Sequence, residues 1–320
     1  MRTVTRYQVE LIDAVIAEKA TGGLTPSIIE KDIHVTDALQ TLFSIRHEHV
    51  DFVFCGGTSL SKAYGIIERM SEDVDIKVVL SDGHGMTRSA TKKCLIGLKH
   101  KVIRQMTNLG FVQDASGYKV FNENRYVATN WLYQSRYEGM DESLRPHLSL
   151  EFTVRTPKFL TIPVSIGYLV DKLAERQGLA FPINCIAVEE TLAEKVLSFL
   201  RRHAQHRCGY MQQPWDTALV RHIYDIYCIV QADPETVEKA KSRFADLVAF
   251  DVKEFTKHPA FTENPKACMS AALEAIEAEE QTFTEYQTRL LPLIYADTKP
   301  GFAEAFKVFK TSSHALLSTL

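Results

Sequence analysis

At 320 residues the chain is longer than one hydrophobic core usually supports, which predicts two lobes. Its 45% hydrophobic and 24% charged residues are ordinary for a globular chain. With 37 Lys and Arg against 40 Asp and Glu, the net charge of −3 excludes a protein basic over its whole surface, though not one with a local positive face. No apolar run approaches the ~18 residues of a membrane helix. The N-terminal segment alternates charged and apolar residues too early for a secretory core, so no membrane partner and a cytoplasmic location are expected. The six cysteines show no convincing metal-ligand spacing and are expected mostly as free thiols.

The stripe Val9, Leu11, Ile12, Val15 and Ile16 predicts a first helix. Thr25-Pro26-Ser27 opens a second, carrying Ile29, Ile33, Leu39 and Leu42. Residues 52–55 read as a buried strand that stops at Gly56-Gly57, after which Thr58 or Ser59 is expected to cap a helix reaching about Arg69. Residues 73–80 form the next strand, and 81–85 a loop. Residues 88–109 read as a helix with a basic face of Lys92, Lys93, Lys99, His100, Lys101 and Arg104. Strands are expected at 126–133, 147–155 and 161–167, and Pro182 as a break. From Val188 onward the pattern is helical, at 188–204, 216–231, 235–257, 268–293 and 302–318. The expected class is α+β, with a sheet-bearing domain at 1–180 and a helical domain at 181–320.

Chemistry concentrates in GGTSLSKAYG followed by ERMSEDVDIKV. Gly56-Gly57 before a helix start suits a phosphate, though such a pair is more often plain turn chemistry. Asp73 and Asp75, two apart on a strand, face one way with Cα atoms roughly 6.5 Å apart. Two such carboxylates repel unless a cation lies between them, and Mg²⁺ is held by one or two carboxylates plus phosphates. A solvated strand edge is the plainer alternative. Glu151 shares an outward face with Ser149 and Thr153, opposite Leu148, Leu150 and Phe152; beside the Asp73 strand it would be a third acid. In the second half, Lys195 lies against Leu192 and Phe199, which snorkelling alone explains. Asp225 is the sole acid in the largely apolar stretch Leu219–Val230, where it must be paired or bind something. Arg221, four residues earlier, is one candidate partner, and contact with a nucleotide, a metal or Lys195 is the alternative.

The string FCGGTSLSKAYGIIERMSEDVDIKV resembles the GG[ST]-x(n)-DxD core of nucleotidyltransferases. Together with Ile29–Leu39, Leu192–Arg201 and Arg221–Tyr227, it resembles the AbiEii/AbiGii toxin family of type IV toxin–antitoxin systems. His222 stands where many relatives carry Asp, and residues 232–320 add no recognised motif. The resemblance implies a nucleotidyltransferase-like mixed-sheet lobe and a helical lobe. Gly56, Gly57, Thr58, Ser59, Ser71, Lys62 and Arg221 would bind nucleotide. Asp73, Asp75 and Glu151 would hold Mg²⁺, and Lys195 and Asp225 would be the essential residues of the later motifs, closing one side of the same cleft.

The implied reaction is NTP-dependent transfer of a nucleotide to RNA, with a tRNA 3′ end as acceptor and the basic 88–109 helix holding its backbone. A cognate antitoxin is the implied partner. Modification of a protein or small molecule, and a non-catalytic nucleotide-binding role, are the alternatives.

Overall fold

The computed structural model describes residues 1–19, 21–81, 85–137, 139, 144–211 and 215–320. Of the loop expected at 81–85, residues 82–84 lie outside the described residues. The chain packs as two compact units. The first comprises Met1–Gly65, Met70–Pro157 and Thr161–Ile186, and the second comprises Ile66–Arg69, Lys158–Leu160 and Ala187–Leu320.

In chain order the first unit carries α1 (Arg6–Ala17), α2 (Pro26–Phe43), β1 (Val50–Cys55), α3 (Gly56–Lys62), β2 (Asp73–Leu80) and α4 (Arg88–Asn108). There follow β3 (Val112–Phe121), β4 (Tyr126–Leu132), β5 (His147–Val154), β6 (Ile162–Gly167), α5 (Leu169–Leu173) and β7 (Ala180–Cys185). Its sheet has the strand order β3-β4-β5-β2-β1-β7-β6. It is mixed: β2 runs parallel to β5 and β1 to β7, and the other pairs are antiparallel.

Strand alternation decides what each face does. Val74, Ile76 and Val78 of β2 and Leu148, Leu150 and Phe152 of β5 enter one core. Val35, Leu39 and Leu42 of α2 join them, as do Leu95, Leu98, Val102 and Met106 of α4. Each fully buried side chain of this kind contributes about 1.5–3 kcal/mol. The intervening residues turn to the opposite face, where the register sets Asp73 beside Ser149 and Asp75 beside Glu151.

In this unit two expectations needed correction and one strand went unread. The helix after the glycines begins at Gly56 and ends at Lys62, short of Arg69; Thr58 and Ser59 lie inside it rather than capping it. Strand β3 had no strand signature, because Asp114, Ser116 and Gly117 are poor strand formers; it is an outer strand whose register slips between Asp114 and Lys119. Pro182 does not break the chain but sits within β7 opposite Ser165 of β6. The pairing of β7 with β1 reaches only Cys185, so at Pro182 the strand has one neighbour to satisfy.

The second unit is helical: α6 (Val188–Arg207), α7 (Arg221–Ala232), α8 (Thr236–Glu254), α9 (Pro259–Glu263), α10 (Pro265–Ala278), α11 (Glu280–Glu285) and α12 (Phe302–Leu317). Helix α6 packs on α7, α8 and α10, and α12 on α7 and α8. Leu192, Val196 and Phe199 of α6, Ile223 and Ile226 of α7, Phe244 of α8 and Phe309 of α12 are buried. The single helix expected at 268–293 is instead broken at Glu279, whose backbone is extended at φ −97° and ψ 131°. All six cysteines are free thiols.

Candidate active site

In the first unit the carboxylates meet on the sheet face away from α2 and α4. Asp75 lies across from Glu151 on β5, with Asp73 one step along the same face. Gly56 stands against Asp75: its φ of +78° is a conformation that favours glycine, and an added Cβ would overlap the Asp75 carboxylate. The glycine turn therefore serves the close approach of Asp75. Gly57, the next residue, lies half-buried in the first turn of α3.

These carboxylates offer hard oxygen donors, the chemistry that suits Mg²⁺. Asp73 and Asp75 fit a cation that completes its shell with water and phosphate oxygens. Among the described residues, however, no three His, Cys, Asp or Glu side chains are gathered as a metal site. Two of the three expected acids also have partners of their own. Asp73 accepts from Arg145 Nη2 at 2.7 Å, and Glu151 accepts from the Tyr126 hydroxyl at 2.9 Å. Burial raises the Glu151 pKa and the charge of Asp73 adds to this, against the opposing Tyr126 hydrogen bond.

The hydroxyls expected to face phosphate are occupied by the fold. Thr58 donates to the Asp73 main-chain carbonyl and lies 2.9 Å from the Ser71 hydroxyl. Ser59 donates to the Gly56 carbonyl at 2.9 Å. Both side chains are buried, so they fix the turn against β2. Lys62 is engaged too: its ammonium contacts Asp32 at 2.6 Å and the Gly167 carbonyl at 3.0 Å.

The basic helix α4 is on the wrong side for the carboxylates. Its Leu95, Leu98 and Val102 pack on Val78, Val127 and Phe152, the face opposite Asp73, Asp75 and Glu151. Lys92, Lys93, Lys99, Lys101 and Arg104 thus lie behind the sheet from the acids. Lys99 and Lys101 are further tied to Asn124 and the Arg46 carbonyl.

In the second unit Asp225 is fully buried, and the cations that hold it are Arg69 and Lys195; Lys195 was among the contacts weighed for it, Arg69 was not. Arg69 donates to both carboxylate oxygens, at 2.6 and 2.7 Å, and Lys195 Nζ lies 2.7 Å away. Burial by itself would raise the Asp225 pKa, but Arg69 and Lys195 outweigh it and hold the group well below the usual carboxylate range. His222 Nδ1 lies 3.2 Å from the Lys195 carbonyl, and burial together with the Lys195 charge lowers its pKa. Sequence reasoning assigned no role to Arg69, although it lies within the quoted string FCGGTSLSKAYGIIERMSEDVDIKV. Arg145 it missed altogether.

A family profile described as "Nucleotidyl transferase AbiEii toxin, Type IV TA system" matches residues 37–308. The chain belongs to the AbiEii family. It is accordingly a nucleotidyltransferase toxin of a type IV toxin–antitoxin system, a class that implies a cognate antitoxin. The AbiEii match spans the glycine turn, Asp73, Asp75, Glu151, Lys195 and Asp225. Among solved structures the chain is similar to MenT4, the nucleotidyltransferase toxin Rv2826c from Mycobacterium tuberculosis H37Rv. The identity is 18%, over 73% of this chain and 77% of that one, with a TM-score of 0.36. No curated protein matches the chain. No helix among the described residues is long and apolar enough to cross a membrane.

Proposed function

We propose that this AbiEii-family toxin is a Mg²⁺-dependent enzyme that transfers a nucleotide from an NTP to an RNA acceptor, with a tRNA 3′ end as the acceptor. The observation that carries this reading is the Asp73/Asp75 pair on one sheet face, with Gly56 kept clear of a side chain so that Asp75 can stand against it. On this reading residues 1–180 are the catalytic domain and 181–320 a helical domain. The chemistry belongs in the cytoplasm, where NTPs and RNA are found.

Asp73 and Asp75 would hold the cation. A bound Mg²⁺ would supply stabilisation of the charge that develops on the departing pyrophosphate. The acceptor hydroxyl oxygen attacks the α-phosphorus of the NTP, and the bond from that phosphorus to the oxygen bridging to the β-phosphate breaks. Pyrophosphate leaves with the electron pair. Glu151, whose burial raises its proton affinity, is placed to take the hydroxyl proton. Amides at Gly56 and Gly57 and the Ser71 hydroxyl are the proposed phosphate contacts, on a turn braced by Thr58 and Ser59. Lys62 braces the same unit through Asp32. Lys195 and Asp225 are the essential residues proposed for the helical unit, with Arg221 as a proposed nucleotide contact.

The test is purified protein with Mg²⁺, total RNA and each labelled NTP in turn. Label entering RNA, and absent with Asp75→Asn, is expected. NTP consumption indifferent to RNA would move the acceptor to a protein or small molecule. No consumption of any NTP would overturn the enzyme reading.

A further inference from the structure

Arg145 lies just ahead of β5 and belongs to no recognised motif, yet it is built into place. Behind it are two buried charges. Lys31 of α2 is 1% exposed, and its ammonium is paired with Glu72, itself 5% exposed. The same ammonium donates to the Arg145 carbonyl at 2.7 Å. Glu72 Oε2 also accepts the Arg145 backbone N–H at 2.9 Å, and Glu72 Oε1 lies 3.6 Å from Arg145 Nε. Main chain and side chain of Arg145 are thus both tied to one buried carboxylate. The guanidinium, 39% exposed, reaches past it to Asp73, with Nη2 to Oδ1 at 2.7 Å.

Such a cluster does not arise for stability's sake. A buried ion pair of ordinary geometry is often matched or bettered by apolar residues of the same volume. Burial already lowers the Lys31 pKa, against the opposing pull of Glu72. What the cluster does provide is a fixed cation beside Asp73, while Asp75 lies two residues further along β2.

We propose that Arg145 is a positioning residue that occupies Asp73 in the cation-free protein and is displaced from it when a divalent cation binds. This rests on the reading of Asp73 as a metal ligand. Two carboxylates on one sheet face repel each other without a counter-charge. The Arg145 guanidinium supplies that charge in advance, so the pair keeps its geometry, and the divalent cation then competes with a tethered rather than a free cation. The Lys31–Glu72 pair is the tether. On displacement the guanidinium remains anchored through Glu72 beside the site.

The decisive measurement is Mn²⁺ binding by calorimetry to the full chain, without nucleotide, so that it does not depend on activity. Arg145→Gln removes the competing charge and should tighten Mn²⁺ binding by about fivefold, the upper scale of one partly exposed ion pair. Arg145→Lys keeps the charge but cannot span Glu72 and Asp73 with a planar fork, and should fall between Gln and wild type. Asp73→Asn should weaken binding. A residue with only a structural role would weaken or leave the affinity on removal, never strengthen it. Unchanged or weaker Mn²⁺ binding by folded Arg145→Gln, with Asp73→Asn weakened, would overturn this inference alone. Equal binding by wild type and Asp73→Asn, or none by either, would overturn the metal reading of Asp73 and this inference with it.

Discussion

Gly56 and Asp75 are packed so closely that the carboxylate takes the space a Cβ on Gly56 would occupy. The backbone at Gly56, with φ of +78°, compounds the restriction. Gly56→Ala should therefore cost about 1–3 kcal/mol of stability, and any folded fraction should have Asp75 displaced. Chemical denaturation together with label transfer checks this. A stable, fully active Gly56→Ala protein would contradict it.

Asp75→Asn keeps the shape of the side chain and removes its charge. Transfer should be abolished while the thermal midpoint moves little. Retained transfer would remove Asp75 from the cation site.

Asp225 gives a stability prediction with a definite pH dependence. Replacing it with Asn leaves Arg69 and Lys195 without their buried counter-charge, which should cost about 3–5 kcal/mol at neutral pH. Arg69 and Lys195 outweigh burial and depress the Asp225 pKa in the folded protein. Its stabilising contribution is therefore fully present above the unfolded value of about 3.9 and is lost as pH falls through the lower folded value. Urea unfolding of wild type and Asp225→Asn across this range should show a gap that is widest above about pH 4 and narrows below it. A gap independent of pH would show that the charge is not what matters.

The cations of α4 offer a negative control. They project from the helix packed on the face opposite the acids, with the sheet and its core between. Reversing two of them, Lys92→Glu with Lys93→Glu, should leave the transfer rate within about twofold. A large loss would place the acceptor on the α4 side after all.

How much of this was legible in the sequence follows from how local each signal is. Strand β2 could be read from the alternation of Val74, Ile76 and Val78 with Asp73, Asp75 and Lys77, and that alternation also places the two acids on one face. The face of Glu151 was equally readable on β5. Its position across from Asp75 was not, because register between strands some seventy residues apart is set by the whole sheet. Arg145 carries no periodicity, and its importance comes from Lys31, a hundred residues earlier, and from Glu72. Arg69 was quoted within a motif, but the arginine nearer in sequence, Arg221, was the natural guess for the partner of Asp225. Helix spacing favours i and i+4 partners, while a buried carboxylate takes whichever cations the packing delivers.

The slipped register of β3 has a consequence for how copies of this chain meet one another. An outermost strand of regular pleat is a template on which another chain can add its own strand. Between Asp114 and Lys119 the ladder of β3 is interrupted, and Gly117 there lies so close to Asn130 of β4 that a side chain would not fit. An irregularity of this kind bends a strand where a docking neighbour would need it straight. An irregularity that made β3 hard to recognise thereby protects this edge of the sheet against runaway strand addition.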